Sequence, residues 1–241
     1  AEQNGYVVLP FSRIIRVHLA ETIKEYLSSV ITTQYVGELL DEVLKENEFL
    51  CTQIVEKYGN SSLTVVKLVL CSLLDEEVSI RNLIPILETI SNEPKYERAK
   101  LQALVNKVRC AIIPDVIDSI NENNNDIKVL FFSQKLSDHM FDNLTETGEI
   151  VFEPVTRKLF SNELSLKISE MIDQGFSPVV LCVEPLRYSV EILLASLGIS
   201  NIHVLSDMEM TAAIRKMNIS LQVFATIGED FELPAGCDSG A

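Results

Sequence analysis

Phosphate chemistry needs closely spaced glycines whose amides can wrap an anion, as in G-x-x-x-x-G-K-S/T or G-x-G-x-x-G. The nine glycines, Gly5, Gly37, Gly59, Gly148, Gly175, Gly198, Gly228, Gly236 and Gly240, are scattered, and no G-x-G occurs. This argues against a P-loop and against a dinucleotide fold. Metal sites call for His and Cys at helical or knuckle spacing. His18, His139 and His203 are instead far apart, and there is no C-x-x-C. His203 lies inside a strand pattern and reads as a packing or surface residue. No G-x-S-x-G elbow presents a serine nucleophile. Cys182 sits in an apolar run bounded by prolines, where desolvation disfavours a thiolate, so it is expected to be a small core hydrophobe. Asp75-Glu76-Glu77 could hold a cation but reads better as a solvated loop with helix-capping value. No catalytic, cofactor or metal residue is assigned, and the chain is not expected to be an enzyme.

One residue is suited to specific recognition. The planar fork of Arg81 can join carboxylates or backbone carbonyls bidentately. It follows Ser79 at an expected helix start, where a positive charge opposes the macrodipole. A compensating contact is therefore expected, either with Asp75 or Glu76 of the same chain or with a group across a subunit interface.

The elements that must position these groups follow from composition and pattern. The chain has 241 residues, 47% of them hydrophobic, enough to bury a core and too apolar for an intrinsically disordered protein. Thirty-five acidic residues against twenty basic ones give a net charge of −15, which disfavours nucleic acid and anionic membrane surfaces as partners. Cys51, Cys71, Cys110, Cys182 and Cys237 are odd in number and widely spaced; they read as reduced thiols. With no Trp and few Gly and Pro, a turn-rich all-β design is disfavoured. The apolar stretch 63–74 is interrupted by Lys67 and falls short of the roughly 18 residues of a membrane span. The chain begins with Ala rather than Met, which fits a fragment whose membrane anchor lies elsewhere.

Tyr6-Val7-Val8-Leu9 reads as a strand ended by Pro10, and Ile14, Ile15, Leu19, Ile23 and Leu27 as a helical stripe. Thr33 opens a second amphipathic helix through Val36, Leu39, Leu40, Val43 and Leu44. Residues 49–107 stay helical, broken near Tyr58-Gly59-Asn60, Asp75-Glu76-Glu77 and Ser91-Asn92-Glu93-Pro94, with Leu68, Leu83 and Leu87 expected in the core. With Asn82 as cap, Pro85 falls in a first turn, where its missing N–H is harmless. Beyond Pro114 and the tract Asn121-Glu122-Asn123-Asn124-Asn125-Asp126 the grammar changes. Strands are expected at 127–132, 178–183, 202–205 and 221–224, with helices at 159–172 and 189–197, the latter ended by Gly198. That alternation predicts parallel pairing through crossovers. Residues 228–241 are expected to be an acidic disordered tail.

Three stretches carry a family resemblance. They are Gly5-Tyr6-Val7-Val8-Leu9-Pro10 with Val17-His18-Leu19-Ala20-Glu21-Thr22-Ile23, then Leu73-Leu74-Asp75-Glu76-Glu77-Val78-Ser79-Ile80-Arg81-Asn82-Leu83 with Ile86-Leu87-Glu88-Thr89-Ile90, and then residues 178–183, Leu186-Arg187, Val204-Leu205-Ser206-Asp207-Met208-Glu209 and Ala225-Thr226-Ile227-Gly228. In this order they resemble the cytoplasmic domain of the export-gate protein of type III secretion systems, shared by flagellar and injectisome machines. Departures are Val17 for the family's Thr, Asp75-Glu76-Glu77 for its basic-acidic-glycine run, and an apolar stretch around Arg109 in place of a basic run. They point to a divergent virulence-type member.

The resemblance implies a multi-subdomain α+β and α/β architecture. Residues 1–32 would be the end of a ferredoxin-like first subdomain, 33–108 a ring-forming helical subdomain, 109–227 an α/β subdomain and 228–241 the tail. It implies an inner-membrane protein, anchored through an N-terminal region absent from this chain, whose soluble cytoplasmic part forms a homo-oligomeric ring of nine. That ring would receive chaperone–effector complexes, meet other export-apparatus and ATPase-complex proteins, and pass substrates to the channel without a cofactor. Asp75, Glu76, Glu77, Arg81 and Asn82 would lie at the subunit interface, and Tyr6, Val17 and His18 at the edge of the chaperone or substrate site. The alternatives are a cytosolic α/β enzyme using scattered carboxylates, or a scaffold that binds partner helices.

Overall fold

The computed structural model describes residues 11–45, 47–94, 101–120, 126–199 and 202–229. The chain divides into two compact units, Ala1–Ile112 and Ile113–Ala241. The expected strand at Tyr6 and most of the expected tail lie outside the described residues.

The described part of the first unit is helical: α1 (Phe11–Glu25), α2 (Leu27–Val30), α3 (Thr33–Leu44), α4 (Glu48–Tyr58), α5 (Ser62–Asp75), α6 (Leu83–Asn92) and α7 (Leu101–Ala111). Thr32 caps α3 by accepting the Tyr35 N–H at 3.1 Å. Helix α5 packs against α2, α3, α4 and α7. That placement explains its sequence, since Val65, Val66, Val69, Leu70 and Leu73 are all buried. Ile86, Leu87 and Ile90 of α6 are likewise buried at three-to-four-residue spacing. Leu68 and Leu83, expected beside them, are only half-buried. Pro85 is the third residue of α6, where the helix has no use for its amide. The far end of α6 is closed by Lys57 of α4, whose ammonium donates to the carbonyls of Ile90 and Ser91 at 2.9 Å and to that of Glu93. A cation at a helix C-terminus opposes the partial negative charge there. Helix α7 runs on to Ala111, and the first unit ends at Ile112.

The second unit begins with α8 (Ile113–Ile120), with Pro114 in its first turn. Then follow β1 (Asp126–Phe132), α9 (Gln134–Asp142), α10 (Pro154–Asp173), β2 (Val179–Cys182), α11 (Arg187–Ser196), β3 (His203–Ser206), α12 (Asp207–Met217) and β4 (Ser220–Ile227). The strands form one parallel sheet in the order β3-β2-β1-β4. Leu130 and Phe132 of β1, Val180 and Cys182 of β2 and Val204 of β3 enter a cluster with Leu136, Met140, Phe160, Leu164, Val190 and Leu193 of α9, α10 and α11. The period-two spacing within β1 and β2 is what pleating imposes on one face of a sheet. Helices α8 and α12 pack on each other and bury Val116, Ile117, Met210 and Ala213.

Candidate interaction surface

The connection between α5 and α6, residues 76–82, holds four of the five residues singled out for the interface, and the fifth, Asp75, ends α5 beside it. Its first turn is a Schellman closure: the Glu77 N–H donates to the Leu74 carbonyl at 3.0 Å and the Val78 N–H to the Leu73 carbonyl at 2.8 Å. Val78 and Leu73 are both buried, the apolar contact that accompanies this motif. The closure needs a left-handed residue at its apex, and Glu77 supplies it at φ +57°. The resembled family has glycine here. A side chain in this region carries strain of about 1–2 kcal/mol.

Glu76 does not face solvent with its neighbours. Its carboxylate accepts from the Arg109 guanidinium of α7 at 2.5 Å, and both side chains are more than nine-tenths buried. Asn106, one turn earlier on α7, is buried beside this pair in sequence. Asp75, Glu77, Arg81 and Asn82 are exposed. The Arg81 backbone N–H donates to Ser79 Oγ at 3.4 Å, and among the described residues the Arg81 guanidinium has no ion-pair partner. Of its nearest acids in sequence, Glu76 is turned to Arg109. Arg109 is the residue that sequence reading missed. The signal was present, a lone Arg in an apolar stretch, since buried Arg demands a carboxylate.

In the second unit, the C-terminal ends of β2 and β3 form the edge where parallel sheets usually take ligands. Here the edge is closed by the chain's own groups. Ser206 accepts the Glu209 N–H at 3.2 Å, and Glu209 Oε2 accepts the Ser206 N–H at 2.8 Å, a capping box at the start of α12. Asp207 Oδ1 accepts the amides of Glu184 and Met208 at 2.8 and 3.0 Å. The amides of Glu184, Ser206 and Met208 are therefore occupied by carboxylates and that of Glu209 by a hydroxyl. Arg187 is fully buried and pairs with Glu191 at 3.2 Å. The neighbouring Cys182 thiol is pushed up to about 12, chiefly by burial, with Arg187 pulling the other way and Glu209, Asp207 and Glu191 adding to the rise. It is not a nucleophile at neutral pH. Among the described residues, no three His, Cys, Asp or Glu side chains gather as metal ligands.

Of the residues expected at a chaperone or substrate edge, Tyr6 lies outside the described residues. Val17 and His18 are on α1, and His18 is exposed. No described helix is long and apolar enough to cross a membrane.

The flagellar biosynthesis protein FlhA of Borreliella burgdorferi is 27% identical over 230 residues, 94% of this chain and 32% of its own length. FlhA of Bacillus subtilis is 26% identical over 226 residues, 92% of this chain and 32% of its own length. The chain thus spans about a third of the length of these relatives. Among solved structures, the Shigella flexneri MxiA protein superposes with a TM-score of 0.74 at 19% identity, covering 91% of this chain and 69% of that one. The nonameric cytosolic domain of EscV, from a type III secretion system, does so with a TM-score of 0.70 at 18% identity, covering 89% and 61%. Both have this helical-then-α/β fold. The FHIPEP family model matches residues 1–215, and the chain belongs to the FHIPEP family.

Proposed function

We propose that this chain is part of the cytoplasmic domain of a type III secretion export gate, a non-enzymatic module that assembles with copies of itself into a ring and handles proteins on their way to the export channel. The surface assigned to self-assembly is the 76–82 connection, with Asp75 beside it and Arg81 as its contact residue. One observation carries this assignment: Arg81 is exposed without an ion-pair partner among the described residues, while Glu76, its natural intrachain acid, is taken by Arg109. The similarity to domains described as nonameric supports a ring, and nine copies is the number proposed.

Partners beyond the chain itself are proposed as chaperone–effector complexes, with Tyr6, Val17 and His18 at the edge of their site, and proteins of the export ATPase complex. One solved relative, CdsV of Chlamydia pneumoniae, was determined in complex with CdsO. The parent protein is placed in the bacterial inner membrane with this part on the cytoplasmic side.

The experiment is Arg81→Ala in the parent protein, read as ring formation and as secretion. Both are expected to be lost while the protein still accumulates; normal secretion would overturn the assignment. The departures at Val17 and at residues 75–77 favour the injectisome branch, whereas the FlhA relatives are flagellar. Restoring export in an injectisome-gate deletion but not in a flagellar-gate deletion is the expected result.

A further inference from the structure

We propose that Arg109 is a positioning residue for the 76–82 connection: through Glu76 it sets the direction in which Arg81 is presented to a second copy of the chain. This rests on the reading of Arg81 as the contact residue.

The start of the connection is held by the Schellman hydrogen bonds of the Glu77 and Val78 amides and by the burial of Val78, and the Arg81 amide donates to Ser79. Asn82 caps α6 by position but its side chain makes no capping bond. A buried ion pair ties Glu76 to Arg109. Arg109 stands in the last turn of α7, the helix that packs against both α5 and α6. An anchor at that point fixes the connection relative to both helices it joins. It also suits Arg109 electrostatically, because a cation in the last turn opposes the C-terminal partial charge.

A buried ion pair of this kind is a poor source of stability, since desolvating two charges offsets their attraction and apolar replacements of like volume are often tolerated. What apolar replacements lose is direction: a guanidinium fork accepts a carboxylate in few orientations, whereas two aliphatic side chains slide past one another. Such a pair beside an exposed and unpaired Arg81 therefore fits a role in orientation.

The test compares this chain with E76L/R109M, R81A, the triple variant and R109K, using sedimentation velocity over a concentration series in 0.3 M NaCl and thermal melting of each. E76L/R109M is expected to melt within a few degrees of the parent yet self-associate at least tenfold more weakly. The triple variant should be no weaker than R81A, because both changes act on one contact. R109K keeps the charge without the fork and should fall between the parent and E76L/R109M. Unchanged self-association in E76L/R109M, with R81A weakened, would overturn the positioning role and leave the surface assignment standing. Unchanged self-association in R81A would overturn the surface assignment and the positioning role with it. A melting temperature far below the parent's in both E76L/R109M and R109K would show that the pair holds the fold and would likewise overturn the proposal.

Discussion

The Val78 amide closes onto the Leu73 carbonyl at 2.8 Å across a turn whose apex, Glu77, is held at φ +57°. The geometry is the one glycine favours at the end of a helix, and here an acidic side chain occupies it. Relief of the strain is partly offset by the greater freedom of glycine in the unfolded chain. Glu77→Gly is therefore expected to stabilise the chain by about 0.5–1 kcal/mol. It also removes one of three adjacent like charges. A urea midpoint that rises with an unchanged slope confirms this; a lower midpoint would mean that the Glu77 side chain contributes more than its backbone strain costs.

Leu87 is fully buried, in the row it shares with Ile86 and Ile90 on α6. Leu87→Ala is expected to cost about 2–5 kcal/mol, the transfer of the lost methyl and methylene groups plus the cavity they leave. Leu68→Ala and Leu83→Ala should cost less, since both positions are half-buried. Equal losses at all three in chemical denaturation would contradict the burial pattern.

Alkaline pH should unfold this protein sooner than its carboxylates alone would suggest. Burial holds the Cys182 thiol up to about 12 in the fold, while an unfolded thiol ionises near 8.5. A group raised by folding contributes its stability in full below the unfolded value and loses it as pH climbs through the folded one, a loss of order 4 kcal/mol by about pH 12. Cys51 and Cys71, raised by burial, act in the same direction. Lys57, lowered chiefly by burial, acts in the opposite direction. Urea stability measured from pH 8 to 11 should fall, and Cys182→Ala should flatten the slope.

How much of this was legible in the sequence depends on what fixes each feature. The strands β1 and β2 were readable because apolar runs bounded by polar tracts and prolines leave few alternatives. The buried Cys182 followed from its strand. The register of the sheet and the order β3-β2-β1-β4 depend on packing between distant segments and were not readable. Helix α9 was missed because its pattern is short and mixed, although Ser133 caps it by accepting the Leu136 amide at 3.2 Å. The pairing of Glu76 with Arg109 joins residues 33 apart, and spacing alone cannot choose between Arg81 and Arg109 as the partner of an acid.

The start of α12 offers a test of how the closed edge of the sheet is held. Ser206 and Glu209 exchange two hydrogen bonds and are both almost wholly buried. Removing the hydroxyl leaves the Glu209 amide without its acceptor in a place water does not reach. Ser206→Ala is therefore expected to cost about 1–2 kcal/mol, the upper range for a lost cap. Because the two bonds belong to one box, the effects should not add. Glu209→Gln alone leaves the cap from Ser206 intact, and combining it with Ser206→Ala should cost at least about 0.5 kcal/mol less than the separate losses together. Strict additivity in a urea double-mutant cycle would mean that each bond stands alone, and that the edge is held mainly by Asp207 on the amides of Glu184 and Met208.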